Sequence, residues 1–292
     1  MAKRLAAGKI PRNKWALVLM GGGSRGLAHI GVLDVLQKNG LVPDIITGTS
    51  MGAIIGGLFA AGYSADRLKA VAGDLSLNKY VEELKPSFIR KDPGAVFNYL
   101  MLVDSRNRLL RRMGLVKEDA FEAFLKGLVG NVRIESLPIA FACNAVDLVS
   151  GREITFVRGK LSRALRATMS LPVVIAPART KGAWLVDGGV LNNAPVETAR
   201  KLGAKAVVLV DVHRPLKKMP PGEIRNVFQL LQRVADIMRA HANERAAGMA
   251  DFVLRIALDT EALNFSCIKK TIREGGIRAE ANLEAIRKFV SG

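Results

Sequence analysis

Asp44-Ile45-Ile46-Thr47-Gly48-Thr49-Ser50-Met51-Gly52-Ala53-Ile54-Ile55-Gly56-Gly57-Leu58-Phe59 reads as a strand, a serine between glycines and a helix, with almost nothing connecting them. A strand-to-helix turn this sharp holds the serine backbone in a strained conformation that exposes the hydroxyl. Flanking side chains larger than hydrogen at Gly48 and Gly52 would collide with neighbouring backbone. The serine is also expected to cap the helix, whose N-terminal partial positive charge lowers the cost of negative charge on the hydroxyl oxygen. Gly-x-Ser-x-Gly recurs by chance, so its surroundings carry the weight.

Those surroundings include a second glycine cluster, Gly21-Gly22-Gly23-Ser24-Arg25-Gly26, after the apolar run Trp15–Met20 and before a helical stretch from Leu27 to Asn39. Successive glycines let backbone N–H groups converge on one point, and the helix start adds its own unpaired donors. The result is an anion hole, which in acyl transfer would receive the tetrahedral oxyanion. A dinucleotide site would want an acidic residue at the far end of the second strand, where Thr47 and Thr49 stand instead. A Walker loop would need Gly-Lys-Ser/Thr. A plain tight turn stays open, although residues 21 to 62 hold 11 of the 28 glycines, where even spreading gives about four.

A third element is Ala183-Trp184-Leu185-Val186, a short strand ending in Asp187-Gly188-Gly189. An aspartate so placed could take the serine proton directly, as a two-residue arrangement in place of three. Alone, the tripeptide is a common turn. The rival mechanism is a triad in the order serine, acid, histidine, which Ser50, Asp187 or Asp211, and His213 or His241 would satisfy. His241 shares a helical stripe with Val227, Leu231, Val234 and Met238 and is expected to border the core. A dyad has its own difficulty: a carboxylate with a pKa near 4 is a poor base for a serine, so burial must help.

Taken in order, these three motifs resemble the patatin-like phospholipases, specifically their short bacterial members. The resemblance also takes in Ala167-Thr168-Met169-Ser170-Leu171-Pro172 and Asn192-Asn193-Ala194-Pro195-Val196, and spans residues 14 to 215. It implies a patatin-like α/β fold with helices on both faces of a largely parallel central sheet and a small helical cap insertion. It implies Ser50 as nucleophile and Asp187 as general base. The oxyanion hole would come from Gly21, Gly22, Gly23 and their neighbours through Gly26, with Arg25 supporting the loop. Gly48, Gly52, Gly188 and Gly189 would shape the turns. The implied activity is hydrolysis of phospholipid or lysophospholipid acyl esters, with no metal and no cofactor.

Composition fits a globular enzyme of one large core or a core plus a cap, with 49% apolar and 24% charged residues. No apolar run reaches 18 residues and the N-terminus lacks a secretory stretch, which argues for a cytoplasmic protein. Cys143 and Cys267 have no paired spacing and read as packing residues in a reducing compartment. The anomaly is a net charge of +18. Basic residues concentrate at Lys3, Arg4, Lys9, Arg12 and Lys14, from Arg106 to Arg112, and from Arg158 to Arg166. A solvated face, an anionic membrane surface and nucleic acid all fit such charge. No zinc-finger, homeodomain or aromatic-rich RNA-binding signature accompanies it, so membrane ranks above nucleic acid. A non-catalytic module using the glycine loops to bind an anion is the competing class.

Strands are expected near 15–20, 44–48, 138–145, 152–157, 183–187, 206–211 and 252–256. Helices are expected near 26–39, 51–61, 118–129, 160–169, 195–202, 224–248 and 278–290. The alternation predicts an α/β domain over 15–292 after a basic segment 1–14. Residues 80–115, with apolar Ala95–Val103 beside Arg106, Arg108, Arg111 and Arg112, read as a cap helix or a lid.

Overall fold

The computed structural model describes residues 14–75, 113–114, 118–172 and 174–291. The basic segment 1–13 and nearly all of the cap or lid at 80–115 lie outside the described residues. β1 (Trp15–Leu19) occupies the middle of the sheet. Its side chains alternate between two cores. Trp15, Leu17 and Leu19 join a cluster with α1 (Ala28–Lys38) and α2 (Ser50–Ala60), while Ala16, Val18 and the following Met20 join one with α6 (Val196–Lys201). A period-two strand covered on both faces has no polar side, and hence reads as an unbroken apolar run.

Around β1 lie β2 (Ile45–Gly48) and β7 (Ala206–Asp211), both parallel to it, with β3 (Ala140–Asp147) beyond β2 and β8 (Phe252–Arg255) beyond β7, again parallel. The remaining pairings are antiparallel. β4 (Arg152–Phe156) and β6 (Ala183–Asp187) both pair β3, and β5 (Ala178–Thr180) forms a tight hairpin with β6. The order is β5-β6-β3-β2-β1-β7-β8, a mixed sheet with a parallel centre and helices on both faces.

Register sets the height of the site. Leu19 pairs both Gly48 and Val210, so the loops after β1, β2 and β7 begin at one level. Gly48 also pairs Cys143, and Asp187 pairs Ala145 two residues further along β3. Asp187 therefore stands level with the turn after Gly48.

The other helices are α3 (Ala65–Val71), α4 (Glu118–Val129), α5 (Leu161–Thr168), α7 (Val227–Ala247), α8 (Ile268–Ala281) and α9 (Leu283–Ser291). One α-helix and one strand escaped the sequence reading, α3 and β5. The single helix expected at 278–290 is two helices broken at Asn282, and the first starts at Ile268. Gly275-Gly276 counts against a helix by propensity, but that stretch packs on α1, and tertiary contact overrides the preference.

Three further expectations are corrected. Cys143 is buried as a packing residue, but Cys267 is exposed. Arg166 belongs to no solvated face: it is buried, donating to Ser170 Oγ at 2.6 Å and to Ala176 O at 3.0 Å. The stripe of Val227, Leu231, Val234, Met238 and His241 on α7 faces away from the core. The covered side of that helix carries Arg233, Asp236, Ala240, Asn243 and Ala247. Among the described residues no helix is long and apolar enough to cross a membrane.

Candidate active site

The turn after β2 is built as its glycines require. Thr49 is extended, and Ser50, the first residue of α2, has φ +55°, unlike every other non-glycine among the described residues. A left-handed conformation at such a residue costs on the order of 1–3 kcal/mol and persists only where the surroundings impose it. Here the Ser50 N–H donates at 2.9 Å to Oγ1 of Thr168, the last residue of α5. A Cβ at position 52 would run into the Leu19 carbonyl, so only glycine lets α2 start against the end of β1. The capping expectation is corrected: Thr49, not Ser50, is the N-cap. Its hydroxyl, rather than capping, turns to Asn144 Oδ1 at 2.7 Å and Asn192 O at 3.1 Å.

Asp187 closes β6. Its own N–H donates to Ser170 O at 2.9 Å, and its Oδ1 accepts the Gly189 N–H at 2.8 Å. The side chain is buried, and burial pushes its pKa up to about 6. The nearby Ser50 hydroxyl, the Gly189 N–H and the charge of Arg239 pull the other way. The Ser50 hydroxyl thus has two acceptors at hand. In the conformer seen it points at Met169 Sδ, 3.4 Å away, yet it also acts on the Asp187 carboxylate. A thioether is a weak acceptor beside a carboxylate, so the carboxylate is the stronger partner.

The glycine cluster folds as a 3-10 turn over Gly23–Leu27 with Gly22 ahead of it. Gly23 has φ +58°, and a Cβ there would strike the Ala262 carbonyl. That same carbonyl accepts the Ser24 N–H at 2.7 Å, and Ser24 Oγ donates to Glu261 O at 2.9 Å. Arg25 folds back, donating from its backbone N–H and from Nε to Gly22 O at 3.2 and 3.4 Å, and Gly26 packs against Met51. Gly21 abuts Ser50 directly, so the two glycine motifs meet. The expected donor set narrows at this point. The Gly21 N–H donates to Asn193 O at 3.1 Å and the Gly21 carbonyl accepts from Asn193 Nδ2 at 3.0 Å, so that amide is committed to the scaffold. Among the described residues nothing accepts from the N–H groups of Gly22 and Gly23.

Behind these groups is a polar network that sequence reading missed. Asn144 Nδ2 donates to Glu153 Oε1 and to Asn192 O, both at 2.8 Å, and Asn192 Nδ2 reaches Glu153 Oε1 at 3.1 Å. It ties β3, β4 and the loop after Asp187 to Thr49. Asn144 lies mid-strand and Glu153 on a strand of mixed character, with no local signal at either. Thr168 and Asn192 do lie in segments that carried the resemblance.

The histidines go elsewhere. His213 Nδ1 lies 3.2 Å from Asp211 Oδ1. His29 Nε2 donates to Met20 O at 2.8 Å, and burial depresses its pKa to about 4. His241 is exposed on α7. None of the three bonds to Ser50 or Asp187. No group of three metal-ligating side chains occurs among the described residues.

Known proteins are similar to this chain in sequence and in fold. A family model described as patatin-like phospholipase matches residues 17–200. An uncharacterised NTE family protein of Mycobacterium tuberculosis is 33% identical over 68% of this chain and 49% of its own length. An uncharacterised NTE family protein of Mycobacterium bovis is 31% identical over 98% of this chain and 48% of its own. Lysophospholipase NTE1 of Scheffersomyces stipitis is 30% identical over 87% of this chain and 15% of its own. The chain spans about half the length, or less, of these curated relatives. Among solved structures, VipD from Legionella pneumophila superposes with a TM-score of 0.54 at 14% identity, covering 94% of this chain and 67% of that one, a likeness of fold.

Proposed function

The chain belongs to the patatin-like phospholipase family, and from that premise we propose that it is a serine acyl hydrolase working through Ser50 and Asp187 on phospholipid or lysophospholipid esters. One observation carries the reading: a positive-φ serine at a helix start acts on a buried aspartate of raised pKa and abuts Gly21, whose neighbours Gly22 and Gly23 have N–H groups with no acceptor among the described residues. With a pKa of about 6 the carboxylate is ionised at neutral pH and is a stronger base than a solvated aspartate, which relieves the difficulty of a dyad.

Asp187 takes the Ser50 proton as Oγ attacks the acyl carbonyl carbon, and the carbonyl π electrons move to oxygen. That oxyanion is received by the N–H groups of Gly22 and Gly23 and by the positive end of α2. Collapse breaks the ester C–O bond, and Asp187 returns its proton to the departing alcohol. Water, deprotonated by the same carboxylate, attacks the acyl-Ser50 ester and releases the fatty acid as Ser50 recovers its proton.

The test is covalent. A fluorophosphonate probe should label Ser50, found by mass spectrometry of the peptide that contains it, and Ser50→Ala should not be labelled. Failure of the wild-type protein to label would sink the hydrolase reading in favour of an anion-binding module.

A further inference from the structure

α7 is amphipathic the wrong way round for a helix on a globular surface. Its polar and small residues Arg233, Asp236, Ala240, Asn243 and Ala247 are turned to the body of the protein. Its large apolar residues Val227, Leu230, Leu231, Val234, Ile237 and Met238 are 37–73% exposed. At 100° per residue these six fall within about a third of the helix circumference, forming one stripe more than three turns long. A monomer seldom leaves such a continuous apolar strip to water. Leu216 and Met219, also exposed, extend it from the preceding loop, which is tied to α7 by Arg233 Nη2 donating to Lys217 O at 2.8 Å.

Charge identifies the occupant. No acidic side chain falls within the stripe. Exposed Lys217, Lys218 and Arg225 outnumber exposed Glu223 at one end of it, and Arg245, beside Glu244 on the flank, continues its line at the other, on a chain with net charge +18. An apolar face bordered by cations matches a surface of acyl chains beneath anionic headgroups. The same helix adjoins the site, because Arg239 acts electrostatically on both Asp187 and Arg25. The helix lies beyond the residues that the family model matches.

We propose that the apolar stripe of α7 is a docking surface for an anionic lipid bilayer, lying flat in the interface on the helix that adjoins the Ser50 site. This deepens the lipid-ester reading and rests on it for the purpose of docking, but docking is measured without turnover. The full chain is floated with vesicles of phosphatidylglycerol and phosphatidylcholine, and with phosphatidylcholine alone. Expected is binding that prefers the anionic vesicles and weakens steeply between about 0.1 and 0.5 M salt. The double variant Leu231→Glu, Met238→Glu should bind at least about tenfold more weakly, while hydrolysing a short soluble nitrophenyl ester within about twofold of wild type. As a second measurement, Leu231→Trp should be quenched by brominated acyl chains. Flotation unchanged by the double variant, or no quenching, overturns the proposal. So does a wild-type dimer by light scattering that the double variant converts to a monomer, since a second copy would then cover the stripe. Vesicle binding intact in a protein that neither labels at Ser50 nor cleaves the soluble ester would leave the docking surface standing and remove the hydrolase reading.

Discussion

Thr168 Oγ1 accepts the Ser50 N–H at 2.9 Å, joining the last residue of α5 to the one non-glycine residue of positive φ among those described. The bond offsets part of the strain and fixes where the hydroxyl points. Thr168→Ala leaves a buried N–H unpaired and should cost about 1–3 kcal/mol of stability by denaturant titration. It should lower kcat more than it raises KM, and Thr168→Ser should restore most of both. Unchanged kcat in the alanine variant would show that the turn holds without it.

Ser50→Ala and Asp187→Asn should each lower hydrolysis of a soluble nitrophenyl ester by on the order of 10³-fold or more, with the protein still folded by circular dichroism. His213→Ala and His241→Ala should stay within about tenfold of wild type. Near-native turnover in Asp187→Asn would end the dyad.

The raised pKa of Asp187 has two consequences of opposite sign. Activity requires the ionised carboxylate, so kcat/KM should climb about tenfold per pH unit below pH 6 and level off above it. Stability runs the other way. Between the unfolded pKa of 3.8 and the folded value of about 6 the native state holds a proton that the unfolded chain has lost, so this group's contribution falls as pH rises through that window. A shift of about two units corresponds to roughly 3 kcal/mol. Asp187→Asn should therefore have a higher melting temperature than wild type at pH 8, with the difference vanishing near pH 4. Melting curves that differ equally at both pH values would contradict a buried, ionised aspartate.

Gly23→Ala adds a methyl group at φ +58° that would meet the Ala262 carbonyl. Displacing the loop moves the N–H donors of Gly22 and Gly23, and loss of one oxyanion donor typically costs about 10²–10³ in rate. The variant should lose kcat by that order and about 1–3 kcal/mol of stability. Full turnover would mean that the loop serves only as a turn.

The local backbone geometry of the candidate site was legible in the chain because it depends on neighbours in sequence. The glycines around Ser50 and at 21 to 23 are demanded by turns a few residues long, and the unbroken apolar run of β1 announces a strand covered on both faces. Three decisions belonged to the tertiary structure alone. Which glycine amide stays open was set by Asn193, 172 residues away from Gly21. The basicity of Asp187 was set by burial, a property of everything packed around it. And periodicity announced a stripe on α7 without saying which side the protein covers, because an amphipathic pattern records that a face is apolar, whereas only packing decides whether that face meets the core or looks out.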